Sequence, residues 1–319
     1  MSIQSMITLI KRECWEYKRA FITFPLFLAI LASVIIIWGG LNFTSNYHVS
    51  YVDGADSQFN LTISNTEVEV TPTGTHTTEN VRQISSDDYS QYLMDFTQYF
   101  TKALTTIFMV LSGFVAMYYA LGALYNDRLD RSILFWKSMP ITESQNVFTK
   151  LVVALVVVPF IAIGLALAVI VLTHIVFFIS TAFTSNDIFY QSLSVTGILL
   201  SCVNALAEWF ILATLMLPVI AWLLFVSAAS PRSPFLFSMV PPIALGFIEQ
   251  LTLGSSYIKS YIKGLSDRIS EGIMIHSRNV NMEHDLWQSL FSIEVVVGLL
   301  LASVLLAGAV WFRNHRFEI

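Results

Sequence analysis

The chain has 319 residues, 55% of them hydrophobic and 12% charged, with a mean hydropathy of +0.67 and a formal net charge of −5. A soluble globular domain carries about 25% charged residues, so this composition excludes an ordinary water-soluble fold and points to lipid as the solvent. Cys14 precedes the first apolar run and Cys202 lies within another, so no disulfide framework is suggested, and the absence of CxxC, HExxH and GxxxxGK[ST] removes the commonest zinc and nucleotide signatures.

Residues 2–19, SIQSMITLIKRECWEYKR, read as an amphipathic helix. Ile3, Ile7, Ile10, Cys14 and Tyr17 recur at alternating spacings of four and three, with Lys11, Arg12, Glu13, Glu16, Lys18 and Arg19 on the polar side. The pattern suits a helix lying in the membrane interface; the competing reading is a plain extension of the first span into water. That span, roughly 20–41, is longer than a signal-peptide core of ~7–15 residues and has no A-x-A-like site after it, so it reads as retained. Segment 42–99 is polar. Alternation at Phe59, Leu61 and Ile63 and at Val68 and Val70, with Asp53-Gly54 and Thr73-Gly74 as turn chemistry, predicts a small β-hairpin there. From Ser85 onward Tyr89, Tyr92, Phe96, Tyr99 and Phe100 form an aromatic helical stripe that runs into a second span, roughly 100–124.

A third span covers roughly 147–180, and Thr142 with Gln145 forms a T-x-x-Q capping box ahead of it. The fourth covers roughly 195–226, followed by a short link at 227–234. The fifth, roughly 235–253, contains Pro241-Pro242, which predicts a kink or a break. Within 254–287, Ile258, Ile262, Leu265 and Ile269 make the stripe of a second amphipathic helix, and the sixth span is roughly 288–312.

The expected fold class is therefore all-α and polytopic: one transmembrane domain over 1–319, six membrane helices, an N-terminal interfacial helix at 2–19, and a small extracytoplasmic segment with a possible hairpin. Six spans place both termini on one side. Lys11, Arg12, Lys18, Arg19, Arg128, Arg131, Lys137, Lys150, Arg232, Arg313 and Arg316 fall on that side, 11 of the 17 Lys and Arg. The positive-inside rule then makes the termini, 125–146 and 227–234 cytoplasmic, and 42–99 and 254–287 extracytoplasmic.

Between two of the most apolar runs lies YNDRLDRSILFWKSMPIT, residues 125–142. Asp127 and Arg131 stand four apart with the acid first, the favoured helical order, and Leu129, Ile133 and Trp136 share a face. Pro140 ends this pattern, which gives a short amphipathic helix held at a corner between spans 2 and 3. Spacing alone leaves two readings open: a docking element that transmits a push, or an ordinary positive-inside loop with Trp136 as its interface anchor.

LYNDRLDRSILFWKSMP, residues 124–140, resembles the segment after the second span in bacterial permeases of the ABC-2 type of ABC transporter. There a pattern L-Y-x-[DE]-R-x-[DR]-x-S-[IL]-L-x-W-K-S-[LM]-P recurs. The resemblance covers about seventeen residues in motif and the whole chain in layout. It implies the permease subunit of an ATP-driven exporter, paired with a second copy of itself and with two copies of a separate ABC-type ATPase. On that expectation the chain is not itself an enzyme and holds no catalytic centre, cofactor or metal; ATP and Mg belong to the ATPase. The strip would be the cytoplasmic coupling helix, with Asp127, Arg128, Asp130, Arg131 and Lys137 in charge-assisted contacts and Trp136 as packing anchor. Arg232 would lie in a second cytoplasmic turn. The membrane would be the bacterial plasma membrane.

Three carboxylates fall within spans: Glu208 near the middle of span 4, Glu249 in span 5 and Glu294 in span 6. A charge in the membrane centre costs ~2.5–3.5 kcal/mol on insertion scales. Glu208 is either part of a substrate path or a hydrogen-bonded packing residue, with Asn204 a neighbour one turn away, whereas Glu249 and Glu294 either ring a substrate exit or are the wetted ends of their spans. The exporter reading takes an amphipathic or hydrophobic substrate such as a drug, peptide or lipid. The alternative is a non-transporting subunit of the same class that relays ATPase work to an extracytoplasmic partner. An intramembrane enzyme or an ion-coupled carrier finds less support, since no GxGD or serine–histidine motif stands out and His276, His284 and Asp285 lack ligand spacing.

Overall fold

The structure is a computed structural model that describes residues 3–46, 66–71, 74–79, 86–130, 142–182, 195–277 and 293–315. In chain order the elements are α1 (Ile3–Glu16), α2 (Phe24–Asn46), β1 (Thr66–Thr71), β2 (Gly74–Glu79), α3 (Ser86–Leu129), α4 (Glu143–Val152), α5 (Val158–Ala182), α6 (Val195–Ala229), α7 (Pro234–Leu253), α8 (Tyr257–Ser277) and α9 (Ile293–His315). The two strands pair antiparallel, Thr66 opposite Glu79 and Thr71 opposite Gly74. The alternation at 59–63 lies outside the described residues. The aromatic stripe after Ser85 and span 2 form one continuous helix of 44 residues.

Two π-helical turns interrupt otherwise regular helices, at Arg19–Thr23 before α2 and at Val153–Val157 between α4 and α5. A proline stands two residues after each, Pro25 and Pro159. Proline has no N–H to give the carbonyl four residues back, and its ring crowds that carbonyl. The wider turn answers both: Phe24 N–H reaches Arg19 O, and Val158 N–H reaches Val153 O. By contrast α7 continues through Pro241 and Pro242 from Pro234 to Leu253, so the predicted break does not occur. Proline is tolerated in a membrane helix where local adjustment re-satisfies the freed carbonyls.

The chain divides into two compact units. The first comprises residues 1–26, 105–165 and 202–319. Its core is Phe21, Tyr119, Leu124, Val153, Ile220 and Leu224, with small residues where helices approach: Ala116, Ala120 and Ala123 on α3, Ala154, Ala228 and Ala309. Small side chains are what allow close backbone approach without a hydrophobic drive between helices. The same logic places Gly298 on α9, where an added Cβ would stand 3.0 Å from the Tyr261 hydroxyl of α8 and 3.4 Å from Pro218 of α6. Ile269 of α8 packs with Ile211, Leu215 and Val295, so this amphipathic helix lies against α6 and α9. Tyr261 is on its packed side, whereas Ile262, expected in the apolar stripe, is half-exposed.

The second unit comprises residues 27–104 and 166–201. Ala29, Leu104, Ala166, Val169 and Ile170 are buried in it. Two of its polar groups are satisfied on their own helix: Thr173 Oγ1 donates to Val169 O at 2.8 Å, and His174 Nδ1 donates to Ile170 O at 2.8 Å.

Candidate functional site

Four elements bring charged side chains to one place: α1, the C-terminal end of α3, both ends of α4 and the C-terminal end of α9. Glu13, Asp127, Lys150 and Arg313 are each at most 2% exposed. Lys150 Nζ donates to Glu13 Oε1 at 2.9 Å and to Asp127 Oδ1 at 3.4 Å. Arg313 Nε donates to Glu143 Oε2 at 2.6 Å, and its Nη1 lies 3.5 Å from Asp127 Oδ2. Arg12 closes the ring, 3.2 Å from Glu16 and 3.8 Å from Asp127 and from Glu13. An isolated buried charge costs several kcal/mol, so a cluster this dry stands only because each ion has opposite neighbours.

An aromatic wall keeps it dry. Tyr119 donates its hydroxyl to Glu13 Oε2 at 2.8 Å, which satisfies the carboxylate oxygen that Lys150 leaves. Phe21 and Tyr17 meet the Tyr119 ring edge-on, with centroids 5.1 and 4.8 Å away. Asn126 Nδ2 donates to the Tyr17 hydroxyl at 3.0 Å. Burial pushes the Tyr17 phenol up, and burial followed by the Glu13 charge raises both the Glu16 carboxyl and the Cys14 thiol above their ordinary values.

The first residues of the 124–140 strip are held separately. Ser227 Oγ accepts from the backbone N–H of Leu124 at 3.1 Å and of Tyr125 at 2.9 Å. Arg128 Nη2 donates to Ser227 O at 2.9 Å and Ser230 O at 2.6 Å, at the C-terminal end of α6 where unpaired carbonyls favour a cation. The Tyr125 hydroxyl donates to Arg232 O at 2.7 Å. At the far end of the strip the capping box is present: Thr142 Oγ1 accepts from Gln145 N, and Gln145 Oε1 from Thr142 N, each at 3.3 Å.

Of the residues assigned to the strip, Asp127 turns inward into the ion network and Arg128 clasps α6, while Asp130 is exposed at the end of α3. Residues 125–129 belong to α3 itself rather than to a separate short helix, and Arg131, Trp136 and Lys137 lie outside the described residues. Arg232 is exposed in the turn between α6 and α7. Glu249, at the end of α7, is buried and accepts from Ser255 Oγ at 2.8 Å, Tyr257 N at 2.5 Å and Ile258 N at 2.9 Å, so it caps the first turn of α8. Glu208 and Glu294 fall on α6 and α9, and their side chains lie outside the described part. Among the described residues no His, Cys, Asp and Glu group is arranged to hold a metal ion.

Sequence reasoning did not single out Glu13, Glu143, Lys150 or Arg313 as partners. One signal was available. Lys150 stands inside the predicted third span, and a cation within a span calls for a counter-ion. Asp127, Glu13 and Arg313 sit at the same-side ends of other spans.

Among the described residues, six helices are long and apolar enough to cross a membrane: Arg19–Trp38, Thr101–Leu129, Glu143–Val176, Ala205–Ala229, Pro234–Leu253 and Val295–His315. The chain is thus a multi-pass helical membrane protein. No protein-family model, curated protein or solved structure matches it.

Proposed function

We propose that this chain is the permease subunit of an ATP-driven exporter of the ABC-2 type, which moves an amphipathic or hydrophobic substrate outward. It works with a second copy of itself and with two separate ATPase subunits. Both termini and the strip face the cytoplasm. The observation that carries the reading is the motif LYNDRLDRSILFWKSMP at 124–140.

The anchoring of that strip supports it. Asp127 near its start and Glu143 just after it both pair with the Arg313 guanidinium, and Asp127 also meets Lys150. A load applied between the two anchors is delivered to α3, α4 and α9 together, and through Glu13 to α1. In this division of labour Asp127 and Arg128 are internal anchors, and Asp130, Arg131, Trp136 and Lys137 present the docking surface.

The test is co-purification of the full chain from its native membranes in mild detergent, with an ATPase assay. A P-loop ATPase in roughly one-to-one ratio is expected, and Arg131→Ala with Trp136→Ala should release it or abolish ATP-dependent transport. Unchanged co-purification and transport in both variants, or no ATPase at all, would defeat the reading.

A further inference from the structure

Among the described residues, the face of α1 opposite the ion network has no protein partner, and its composition is specific. Leu9 and Glu13 are buried, and Ile10, Cys14 and Tyr17 are partly buried against the core. The other side carries Ile7, 57% exposed, and Trp15, 71% exposed, with Lys11 exposed between them. Ile7, Lys11 and Trp15 are four residues apart, so they span only ~80° of the helix surface. Lys18 and Arg19, just past the end of α1, are both exposed. None of these three cations has an acid partner among the described residues. Glu16, the acid nearest to them on α1, is engaged by Arg12.

Two further facts fix what this face meets. The first membrane span begins at Arg19, so the C-terminal end of α1 is at the bilayer boundary by covalent connection. The buried Glu13 contacts with Lys150 and Tyr119 set the rotation of α1, so that the mixed face cannot turn inward. A rigid helix at the boundary that alternates large apolar groups with unanswered cations matches the chemistry of an anionic lipid leaflet: the indole and isoleucine enter the acyl boundary, and the ammonium and guanidinium groups meet phosphate.

We propose that α1 is an anionic-phospholipid docking surface, with Ile7 and Trp15 as the apolar anchors and Lys11, Lys18 and Arg19 as the headgroup contacts. This goes beyond the exporter reading and does not rest on it. Each such cation near an anionic surface favours it by a factor of about five, so anionic lipid is enriched along this helix over zwitterionic lipid.

The test uses the full chain reconstituted in phosphatidylcholine vesicles that contain an equal mole fraction of brominated phosphatidylglycerol or of brominated phosphatidylcholine. Bromine quenches nearby indoles, and the signal of Trp15 is the difference between the natural chain and Trp15→Phe. Quenching of Trp15 by the anionic lipid is expected to exceed that by the zwitterionic lipid at least ~2-fold. The excess should shrink with Lys11→Gln alone, vanish when Lys18→Gln and Arg19→Gln are added, and fall in the natural chain at high salt. Should the triple variant fail to insert, the single variant and the salt series decide. Equal quenching by the two lipids, a preference indifferent to salt and to Lys11→Gln, or displacement by free inorganic phosphate would overturn the proposal.

Discussion

Lys150 has no exposed surface, and its ammonium stands between Glu13 and Asp127, on helices far apart in sequence. In water such a pair is weak; here the three groups have no water to fall back on. Removing one member leaves the others charged and dry. Lys150→Met is therefore expected to destabilise the folded chain by ~3–5 kcal/mol, and adding Glu13→Gln should recover part of that loss, because the orphaned carboxylate is then removed. Thermal unfolding in one detergent, with the four chains of the cycle side by side, measures both. Losses that simply add would show that the two groups do not interact. Arg128 illustrates a different use of charge: its Nη2 alone ties the end of α6 through two carbonyls, where unpaired acceptors favour a cation.

Among elements, α1 shows how a tertiary contact chooses a helix face. Its 3.6-residue pattern is compatible with burying Ile3, Ile7 and Ile10, yet the face that packs is centred nearer Leu9 and Glu13. A glutamate goes inward because Lys150 and Tyr119 wait for it; on the proposed lipid contact, Ile7 and Trp15 go outward because lipid, unlike water, accepts them. At the opposite end of the spans, α8 depends on a cap supplied by another helix. Gly254 takes φ +62° to end α7 and turn the chain, a conformation that side chains with a Cβ resist. Glu249 then satisfies two backbone N–H groups and a serine hydroxyl at the start of α8. Glu249→Ala should weaken that first turn by ~1–3 kcal/mol, seen as amide hydrogen exchange that speeds up at Tyr257 and Ile258 and not in α9. Unchanged exchange there would mean that water replaces the carboxylate without loss.

For the whole molecule, the consequence is mechanical. Arg313, three residues beyond Val310 at the end of the last helix, bridges the residues that flank the 131–141 connection. On the proposed function, that guanidinium carries movement of the strip into the membrane helices. Arg313→Lys keeps the charge and loses the planar fork that reaches two carboxylates at once. The full chain should still retain its ATPase, because the docking surface is untouched, while transport falls on the order of tenfold, equivalent to about 1.4 kcal/mol in the barrier. Transport assays with equal amounts of the co-purified complex check this; undiminished transport would remove Arg313 from the relay.

The membrane spans were legible in the sequence because they depend on a local property: a run of apolar residues about as long as the bilayer core is thick. The capping box at Thr142 and Gln145 was legible for the same reason, since both its bonds close within four residues. The two helices predicted as amphipathic were also found, and much of each apolar stripe packs, Ile10, Cys14 and Tyr17 at α1 and Ile269 on α8. Where the buried face ends was not legible, since Ile7 and Ile262 are exposed. That boundary rests on rotation about the helix axis, and for α1 the rotation is set by the π turn at Arg19–Thr23 that follows it and by the ion pairs it must meet. The network itself was hidden because Lys150 and Glu13 are separated by 137 residues, and a charge at the end of an apolar run looks the same whether it faces water or a partner. Sequence alone determined that this chain lives in a membrane and where it crosses; only the tertiary structure decided which of its boundary charges are turned inward, because desolvated ions are stable only where the fold supplies their opposites.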